Sequence, residues 1–389
     1  MRIDPRCRSV VGVLVLAACV GEHATDTGSD ESLSRMVGVV DETFGRAAQG
    51  FDWATISGIA VSDRGDIVVA DRSNNRIVVL SPTGSLRSIV GRKGSGPGEL
   101  SVPCCLAFSP TGELWTREGG NARYSVFRFV GHRAVFERVL RIEHPAARAW
   151  VPTTFDESGR LIDVGAVDAG FTVPITARFH RDPSNGTTRA RDLIPPPSPD
   201  KLGVFSVGGT SGDRSNHQFF YAPFGPEHLV AHGPGGPWAE AVSSSYVVTW
   251  RDQAGEVIHT LKRNLEGPPL SRAEHADATK SLKQQAAYAG RKLPFKVPRR
   301  KPPLRALFFD AAGRLWVERN SEAGTDRIAD VYDCGRLVAL VKWPADVRLD
   351  VGSVQLEFAL GVRRDELDVE HLVRLVFRPA VVSTASASR

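Results

Sequence analysis

The chain has 389 residues, of which 42% are hydrophobic, so its composition allows a sizeable core. A formal net charge of +5 is modest for this length, and proteins that bind nucleic acids usually carry a denser basic surface. Beyond the N-terminus, no apolar stretch is long enough to cross a bilayer as a helix. These properties argue against a nucleic-acid partner and against a helical integral membrane protein.

The N-terminus has the pattern of an export signal. A segment with three arginines precedes a short apolar run, Val10–Leu16, which is too short for a membrane span. The run ends in Leu16-Ala17-Ala18-Cys19, which resembles the lipobox of bacterial lipoproteins, in which the cysteine becomes the lipidated first residue. The resemblance implies a signal peptide over residues 1–18 and lipid attachment at Cys19. A plain signal peptide with an incidental cysteine, or a start codon placed too early, is the alternative.

Residues 19–35 are polar, acidic and poor in large apolar groups, which predicts a flexible tether. Two or three acyl chains would hold such a protein stably on a membrane, whereas a single chain gives only marginal binding. The expected location is therefore outside the cytoplasm, on the periplasmic or extracellular face of a membrane, with the lipid as the membrane contact.

A glycine followed by a short strand recurs along the body of the chain. The repeats are Gly65 to Val69, Gly112 to Thr116, Gly159 to Asp163 and Gly313 to Val317. The first three begin 47 residues apart, and most follow an apolar run and a polar turn. Glycine suits such a turn because it accepts a positive φ. Further strands follow in the clearest units, and four antiparallel strands in about 45 residues are typical of a β-propeller blade.

Two of the predicted blades are less regular. We assign blade four to Phe219–Tyr221, His228–Ala231, Tyr246–Trp250 and Val257–Leu261. Blade six has only part of its strands at the C-terminus, and the strand-like Met36–Val40 is predicted to complete it, which would close the ring and remove its open edges. The sequence thus predicts an all-β fold, a six-bladed β-propeller of four-stranded antiparallel blades over residues 36–380, with a disordered tail at 381–389.

One helix is predicted within this domain. Ser271 to Glu274 form a capping box, and the alanine-rich run that follows ends at Gly290. A basic, proline-broken stretch continues to Arg305, so the insertion covers residues 271–305. This stretch is either a solvated connector or a contact for anionic lipid headgroups.

Blade one carries the most specific pattern. It reads Ala70-Asp71-Arg72-Ser73-Asn74-Asn75-Arg76-Ile77, followed by Gly94-Ser95-Gly96-Pro97-Gly98-Glu99-Leu100. This resembles the NHL repeat, with its VAD-x-x-N-x-R-I core and G-x-G-x-GE-[FL] linker. Residues 361–370 resemble the ending of six-bladed propeller lipoproteins of environmental bacteria. The resemblance covers roughly residues 36–379, but blade three departs from it. Because such propellers include scaffolds, ligand-binding modules and a few metal-dependent lyases and lactonases, it implies the fold and not the chemistry.

Cysteine usage is low and shows no metal-binding spacing. We interpret the adjacent Cys104 and Cys105 as two small apolar residues at a strand start, with a vicinal or long-range disulfide as the alternative. His228 and His232 are four residues apart, but their segment is predicted to be a strand and not a helix. Asp365 to Asp368 lack the spacing of a calcium-binding loop, and Gly91 to Gly98 lack that of a phosphate-binding loop. We therefore predict no metal site, no cofactor and no catalytic residue.

The residues that follow the second strand of each blade should share one face near the central tunnel, here called the mouth. The predicted ligand-binding residues at the mouth are Asp71, Arg72, Arg117, Glu118, His232, Glu318, Arg319, Arg363 and Arg364. The hypothesis is a polar or anionic ligand held by Arg117, Arg319 and Arg363. The alternative is a solvated rim of mutually paired charges.

The sequence favours a non-enzymatic lipoprotein of the cell envelope that binds an unknown protein or small molecule. The alternative is a metal-dependent propeller hydrolase or lyase, similar to a lactonase, with its site at the mouth.

Overall fold

The computed structural model describes residues 33–44, 52–142, 154–169, 174–194, 197, 201–207 and 218–380. The predicted signal peptide, Cys19, most of the predicted tether and the tail at 381–389 lie outside these ranges. Within them, no helix combines the length and the apolar character needed to cross a membrane.

Four-stranded antiparallel sheets follow one another along the chain. The N-terminal strand is β1 (Ser34–Phe44). The next sheet consists of β2 (Ile56–Val61), β3 (Ile67–Asp71), β4 (Arg76–Leu80) and β5 (Leu86–Val90). It is followed by β6 (Pro103–Phe108), β7 (Leu114–Glu118), β8 (Arg123–Val130) and β9 (Arg133–Arg141). The third contains β10 (Thr154–Phe155), β11 (Leu161–Ala169), β12 (Pro174–Arg181) and β13 (Thr188–Ile194).

The second half of the chain is less uniform. A two-stranded sheet pairs β14 (Val204–Val207) with β15 (Gln218–Tyr221). A four-stranded sheet follows, with β16 (His228–His232), β17 (Trp238–Val242), β18 (Val247–Arg251) and β19 (Val257–Lys262). After the helix α1 (Arg272–Tyr288) come β20 (Leu304–Phe309), β21 (Leu315–Arg319), β22 (Arg327–Asp333) and β23 (Arg336–Trp343). The last strands are β24 (Val347–Leu349), β25 (Phe358–Arg364) and β26 (Glu370–Pro379).

Burial explains why the central strands read as apolar runs without alternation. Every residue of β3 is buried, because neighbouring sheets cover both of its faces. The outermost strand β5 is largely exposed. The repeated glycines close the hairpins between first and second strands, and Gly65 and Gly112 have φ angles of 78° and 81°, which disfavour other residues.

An eight-stranded sheet joins the two chain ends, in the order β20-β21-β22-β23-β1-β26-β25-β24. Strand β1 runs antiparallel to β26, from Met36 opposite Pro379 to Phe44 opposite Leu372. On its other side, β1 runs parallel to β23. The predicted pairing of the N-terminal strand with the C-terminal part of the fold is confirmed, although the strand is longer than Met36–Val40. The described architecture is an all-β propeller arrangement with one α-helix, built from four separate four-stranded sheets, the two-stranded sheet of β14 and β15, and this larger sheet.

The predicted strand order of blade four is wrong. His228–His232 is the first strand of its sheet and not the second, since it pairs only with β17, as the edge strand of the order β16-β17-β18-β19. The sequence prediction placed no strand between Ala231 and Tyr246, whereas Gly233–Pro237 is the turn that connects β16 to β17. Phe219 and Phe220 belong to the separate two-stranded sheet.

The prediction for Cys104 and Cys105 as unbonded apolar residues is also wrong, because the two form a vicinal disulfide. Both side chains are buried, with 3% and 8% exposed. Cys105 has a φ of 60°, and the register of β6 against β7 shifts between Cys104 and Ala107. The local backbone therefore departs from regular strand geometry, which apolar character alone does not indicate.

The helix prediction is confirmed. Ser271 accepts a hydrogen bond from the Glu274 backbone N–H, and the Glu274 side chain accepts one from the Ser271 N–H, which is the predicted capping box. The helix ends at Tyr288, and Gly290 follows with a φ of 63°.

We expect Phe44→Ala to destabilise the protein by about 3–5 kcal/mol, because the Phe44 ring is fully buried among residues of the first four-stranded sheet and of β25 and β26. Loss of this ring would weaken the attachment of β1. Urea denaturation of the variant would measure the effect, with Val39→Ala as the control, because Val39 lies on the same strand and is 47% exposed. Equal stability of the two variants would contradict the prediction.

Candidate ligand-binding face

The acidic mouth residue of the first sheet holds a linker in place. Asp71 is fully buried at the end of β3, and its carboxylate accepts hydrogen bonds from Asn74 at 2.8 Å and Arg76 Nε at 2.9 Å. It also accepts from the backbone N–H groups of Ala54 and Thr55, at 3.2 and 3.3 Å, in the segment that enters the first strand. The D-x-x-N-x-R pattern therefore links the end of the second strand to the start of the third and to the incoming chain.

The second sheet repeats this arrangement with a glutamate. Glu118 is fully buried and accepts from Asn121 at 2.6 Å, from Arg123 at 2.7 Å and from the Ser101 backbone N–H at 2.9 Å. Arg123 in turn donates to the backbone oxygens of Ser95 and Glu99 in the glycine-rich linker. The spacing is again acid, asparagine three residues later and arginine five residues later.

The eight-stranded sheet also has buried glutamates that pair with arginines and hold the backbone of neighbouring segments. Here the glutamate and the arginine are separated by other numbers of residues. Glu318 is 3% exposed and pairs with Arg327, whose Nη1 donates to the backbone oxygen of Val347 at 2.9 Å. Glu370, at the start of β26, pairs with Arg364 and accepts from the Ile56 backbone N–H at 2.6 Å. This last bond connects the C-terminal strands to the first sheet.

The three arginines predicted to hold an anion each lie beside a carboxylate. Arg117 Nη1 is 3.3 Å from Asp163, Arg319 Nη2 is 3.5 Å from Asp330, and Arg363 Nε is 2.8 Å from Asp346. Arg117 is buried, whereas the Arg363 side chain is 34% exposed.

Two other predicted mouth residues differ in position. Arg72 is half-buried, and its backbone N–H donates to Thr55. His232 ends a first strand, so it lies at the opposite end of its sheet from the second-strand ends. Burial, assisted by the charge of Arg178, lowers the pKa of His232 to about 3, so its ring is neutral at physiological pH.

A cavity of about 750 Å³ opens where the second strand of the β16–β19 sheet ends. At this position the chain has Val242, where the first two sheets have a buried acid. The polar residues that line the cavity are Lys201, His228, Glu240, Ser244, Ser245 and Thr249. Val242 and Val247 supply apolar surface beside them. The wall thus combines one lysine cation, hydroxyl groups and a histidine on the same face as Asp71 and Glu118.

A hydrogen-bonded acid orients the histidine in this wall. His228 Nε2 lies 3.1 Å from Glu240 Oε2, and Arg251 donates to Glu240 Oε1 at 2.9 and 3.0 Å. Burial acts to raise the pKa of Glu240, but the hydrogen bonds from His228 and Arg251, together with the Arg251 charge, outweigh it and hold the pKa below its ordinary value.

A second cavity of about 560 Å³ lies on the same face, beside the hairpin between β21 and β22. The predicted mouth residue Arg319 lines it, together with Arg300, Lys342 and Ser321. Its wall also contains Glu266, Glu322 and Asp326, so its charges are mixed. Within the part of the chain that the structure describes, no group of three or more His, Cys, Asp or Glu side chains is placed to hold a metal ion.

The repeat pattern identifies the fold. A model of the NHL repeat matches residues 54–80. NHL repeat-containing protein 3 of Homo sapiens is 33% identical over 70 residues, which cover 17% of this chain and 20% of the human protein. The mouse protein of the same name is 31% identical over 70 residues, with the same coverage. The protein is an NHL-repeat-like β-propeller. The matched segment spans about one fifth of the length of these relatives.

Solved structures resemble this propeller over most of its length. Virginiamycin B lyase from Staphylococcus aureus matches at 12% identity, covering 83% of this chain and 80% of the lyase, with a TM-score of 0.39. Aldose sugar dehydrogenase from Streptomyces coelicolor matches at 10% identity, covering 89% of this chain and 99% of that enzyme, with a TM-score of 0.41. Matches at these TM-scores imply no activity for the propeller.

Sequence reasoning missed most of the larger cavity. Lys201 precedes the small two-stranded sheet, and Glu240 lies in the strand β17 that was not predicted. Neither belongs to a repeat, so spacing offered no signal for them. An acid and a histidine twelve residues apart meet here only because β16 and β17 pair in register.

We expect Glu118→Ala to destabilise the protein by about 3–5 kcal/mol, because it removes one partner of a buried ion pair and leaves Arg123 without its carboxylate. Chemical denaturation would measure the change. Asp63→Ala removes an exposed acid and serves as the control. A change below about 1 kcal/mol would mean that the carboxylate does not hold the linker.

Glu240→Gln should alter the response to acid. Because the pKa of Glu240 is lowered by folding, its ionised form stabilises the fold fully above pH 4.5, and this contribution is lost as the pH falls through the folded-state pKa. The variant should therefore be less stable by about 1–2 kcal/mol at pH 7 and lose less stability between pH 5 and about pH 3. Melting temperatures across this range test it, with the exposed Glu256→Gln as control. Parallel curves for wild type and Glu240→Gln would contradict the prediction.

Proposed function

We propose that the protein is a lipid-anchored binding module of the cell envelope, with a six-bladed propeller over residues 36–380 that binds a small polar ligand without catalysis. The six-blade count treats the eight-stranded sheet as two blades, β20–β23 and β24–β26 with β1. The strand order supports this division, since two antiparallel runs of four strands meet only at the parallel pair β1 and β23. The insertion predicted at residues 271–305 ends before Leu304, because β20 begins there.

The larger cavity is the observation that carries the binding proposal. Lys201 offers a cation, while Ser244, Ser245 and Thr249 offer hydroxyl groups. The neighbouring valines offer apolar contact. This combination suits a hydroxylated molecule with one carboxylate, about the size of a sugar acid.

Among the described residues, the lining of this cavity includes none of the predicted mouth residues. Asp71, Glu118 and Glu318 bind linkers and act as positioning groups for the face. Arg319 lines the second cavity and is the predicted arginine best placed for a ligand. Ligand contacts by Arg72, Arg117, His232, Arg363 and Arg364 stay predictions.

Filling the cavity should abolish binding. We expect glucuronate, as a probe, to bind the full chain in calorimetric titration and Val247→Trp to lose that binding, because the larger side chain occupies the cavity. Lys201→Ala should weaken binding by about tenfold through loss of the cation. Val135→Trp places the same bulk on an exposed position of β9 and should leave binding unchanged. Failure of glucuronate to bind, or equal binding by Val247→Trp, would overturn the proposed site.

The lipid anchor has its own test. Cys19→Ser should move the protein from the membrane fraction to the soluble extracytoplasmic fraction, since it removes the acylated thiol. Ultracentrifugation of lysed cells, followed by immunoblotting, measures the distribution. Val135→Ala, at an exposed position of β9, serves as the control. Unchanged membrane association of Cys19→Ser would overturn the anchor.

A hydrolase or lyase is the second candidate, supported by the hydrogen bond between His228 and Glu240. A histidine held by a carboxylate at a cavity wall can act as a general base. Hydrolysis of glucuronolactone that is lost in His228→Gln, while glucuronate binding persists, would favour this enzyme over the binding module.

A further inference from the structure

The positive charge of the chain is concentrated in one segment. Residues 271–300, here called the basic excursion, contain eight Lys and Arg against two Asp and Glu, a net charge of +6. The whole chain has a formal charge of +5, so the remaining residues together carry −1. The basic excursion therefore accounts for the entire positive excess.

The basic excursion is fixed to the propeller at both ends. At its base, Leu270 N–H donates to Arg299 at 3.1 Å and Lys301 N–H donates to Pro268 at 2.9 Å, which closes the segment. Lys301 also forms an ion pair with Glu274 in the first turn of α1. At the other end of the helix, Gln285 exchanges hydrogen bonds with the backbone of Tyr221 in β15. Its cations are thus presented on an ordered surface.

The outer face of α1 carries three of these cations. At 100° per residue, Arg272, Lys280 and Lys283 project within an arc of roughly 80°. All three are exposed. Ala278, the buried residue of the helix, and Gln285 project from the opposite side, and Asp277 lies outside the cationic arc.

Residues 291–300, here called the return stretch, lead from the helix back to the propeller. They add five exposed cations, which are Arg291, Lys292, Lys296, Arg299 and Arg300. In the described ranges, Arg300 is the one member of the eight with a carboxylate within 4.0 Å, that of Glu266 at 3.5 Å. Tyr288, beside the return stretch, is 75% exposed. A tyrosine ring has an apolar body and a polar tip, which suits the headgroup level of a bilayer.

We propose that the basic excursion is a docking surface for anionic phospholipid headgroups. An ordered array of cations, seven of the eight with no carboxylate within 4.0 Å in the described ranges, complements a negatively charged lipid surface. Each cation strengthens binding to such a surface by roughly fivefold. Because the remaining chain carries a net charge of −1, it offers no further net positive charge to bind a long polyanion such as a nucleic acid. The choice of lipid rests on the proposed anchor, which holds the propeller close to a bilayer.

Vesicle co-sedimentation tests this surface, with Cys19→Ser in the full chain in every arm so that no acyl chain contributes. Vesicles contain phosphatidylcholine alone or with one third phosphatidylglycerol. We expect at least about tenfold stronger partitioning onto the anionic vesicles, reduced by added salt. Lys280→Glu/Lys283→Glu should lose about tenfold or more of it, and Lys292→Glu/Lys296→Glu should behave likewise.

The matched control is Arg128→Glu/Arg133→Glu, which makes the same change in net charge at exposed positions of the second sheet. It should partition within about twofold of the parent. Circular dichroism melts would establish that all variants are folded. Equal partitioning of the helix variant and the control, or no preference for anionic vesicles, overturns the proposal.

Two further outcomes separate a nucleic-acid ligand from a lipid surface, and the docking surface from the lipid anchor. If a 30-base-pair DNA duplex displaces the protein from anionic vesicles at equal charge concentration, the surface binds nucleic acid and the lipid proposal is wrong. If Cys19→Ser leaves membrane association in cells unchanged, the proposed anchor fails, while the vesicle result still decides the docking surface.

Discussion

The propeller depends on buried carboxylates at the junctions between its sheets. Asp71 and Glu118 each end a second strand, and each binds an asparagine, an arginine and the backbone of the incoming linker. A buried carboxylate is costly unless it is fully hydrogen-bonded, so each one requires its partners to be in place. The NHL pattern is therefore a structural device that sets the position of one sheet relative to the chain entering it.

The candidate binding cavity lies at the end of a sheet that lacks the buried acid after its second strand. In the β16–β19 sheet the corresponding position is Val242, and a cavity of about 750 Å³ occupies that end. The acid in this sheet, Glu240, lies two residues earlier and orients His228 instead of a linker. The junctions that follow β3, β7 and β21 are held by ion pairs, whereas this end of the β16–β19 sheet is open to a ligand. This difference is the basis of the proposed function.

The joining of the chain ends uses a different interaction. Strand β1 adds to β26 by antiparallel pairing and to β23 by parallel pairing, so backbone hydrogen bonds hold the N-terminal segment on both sides. Glu370 adds a hydrogen bond to Ile56 in the first sheet. The basic excursion lies outside these sheets. Its net charge of +6 is therefore carried by exposed residues and not by the core of the propeller.

The sequence by itself determined most of the strands, the turn glycines and the capped helix, because these depend on local periodicity and on residues close in the chain. It also predicted the pairing of the N-terminal strand, because that strand had no blade of its own and the last blade lacked a strand. It also placed Asp71 and Glu118 at strand ends. Only the tertiary structure decided that these acids bind linkers, that β17 follows β16, that Cys104 and Cys105 are bonded, and that Lys201, His228 and Glu240 share a cavity. Contacts between distant residues depend on strand register and sheet packing, which leave no local pattern in the chain.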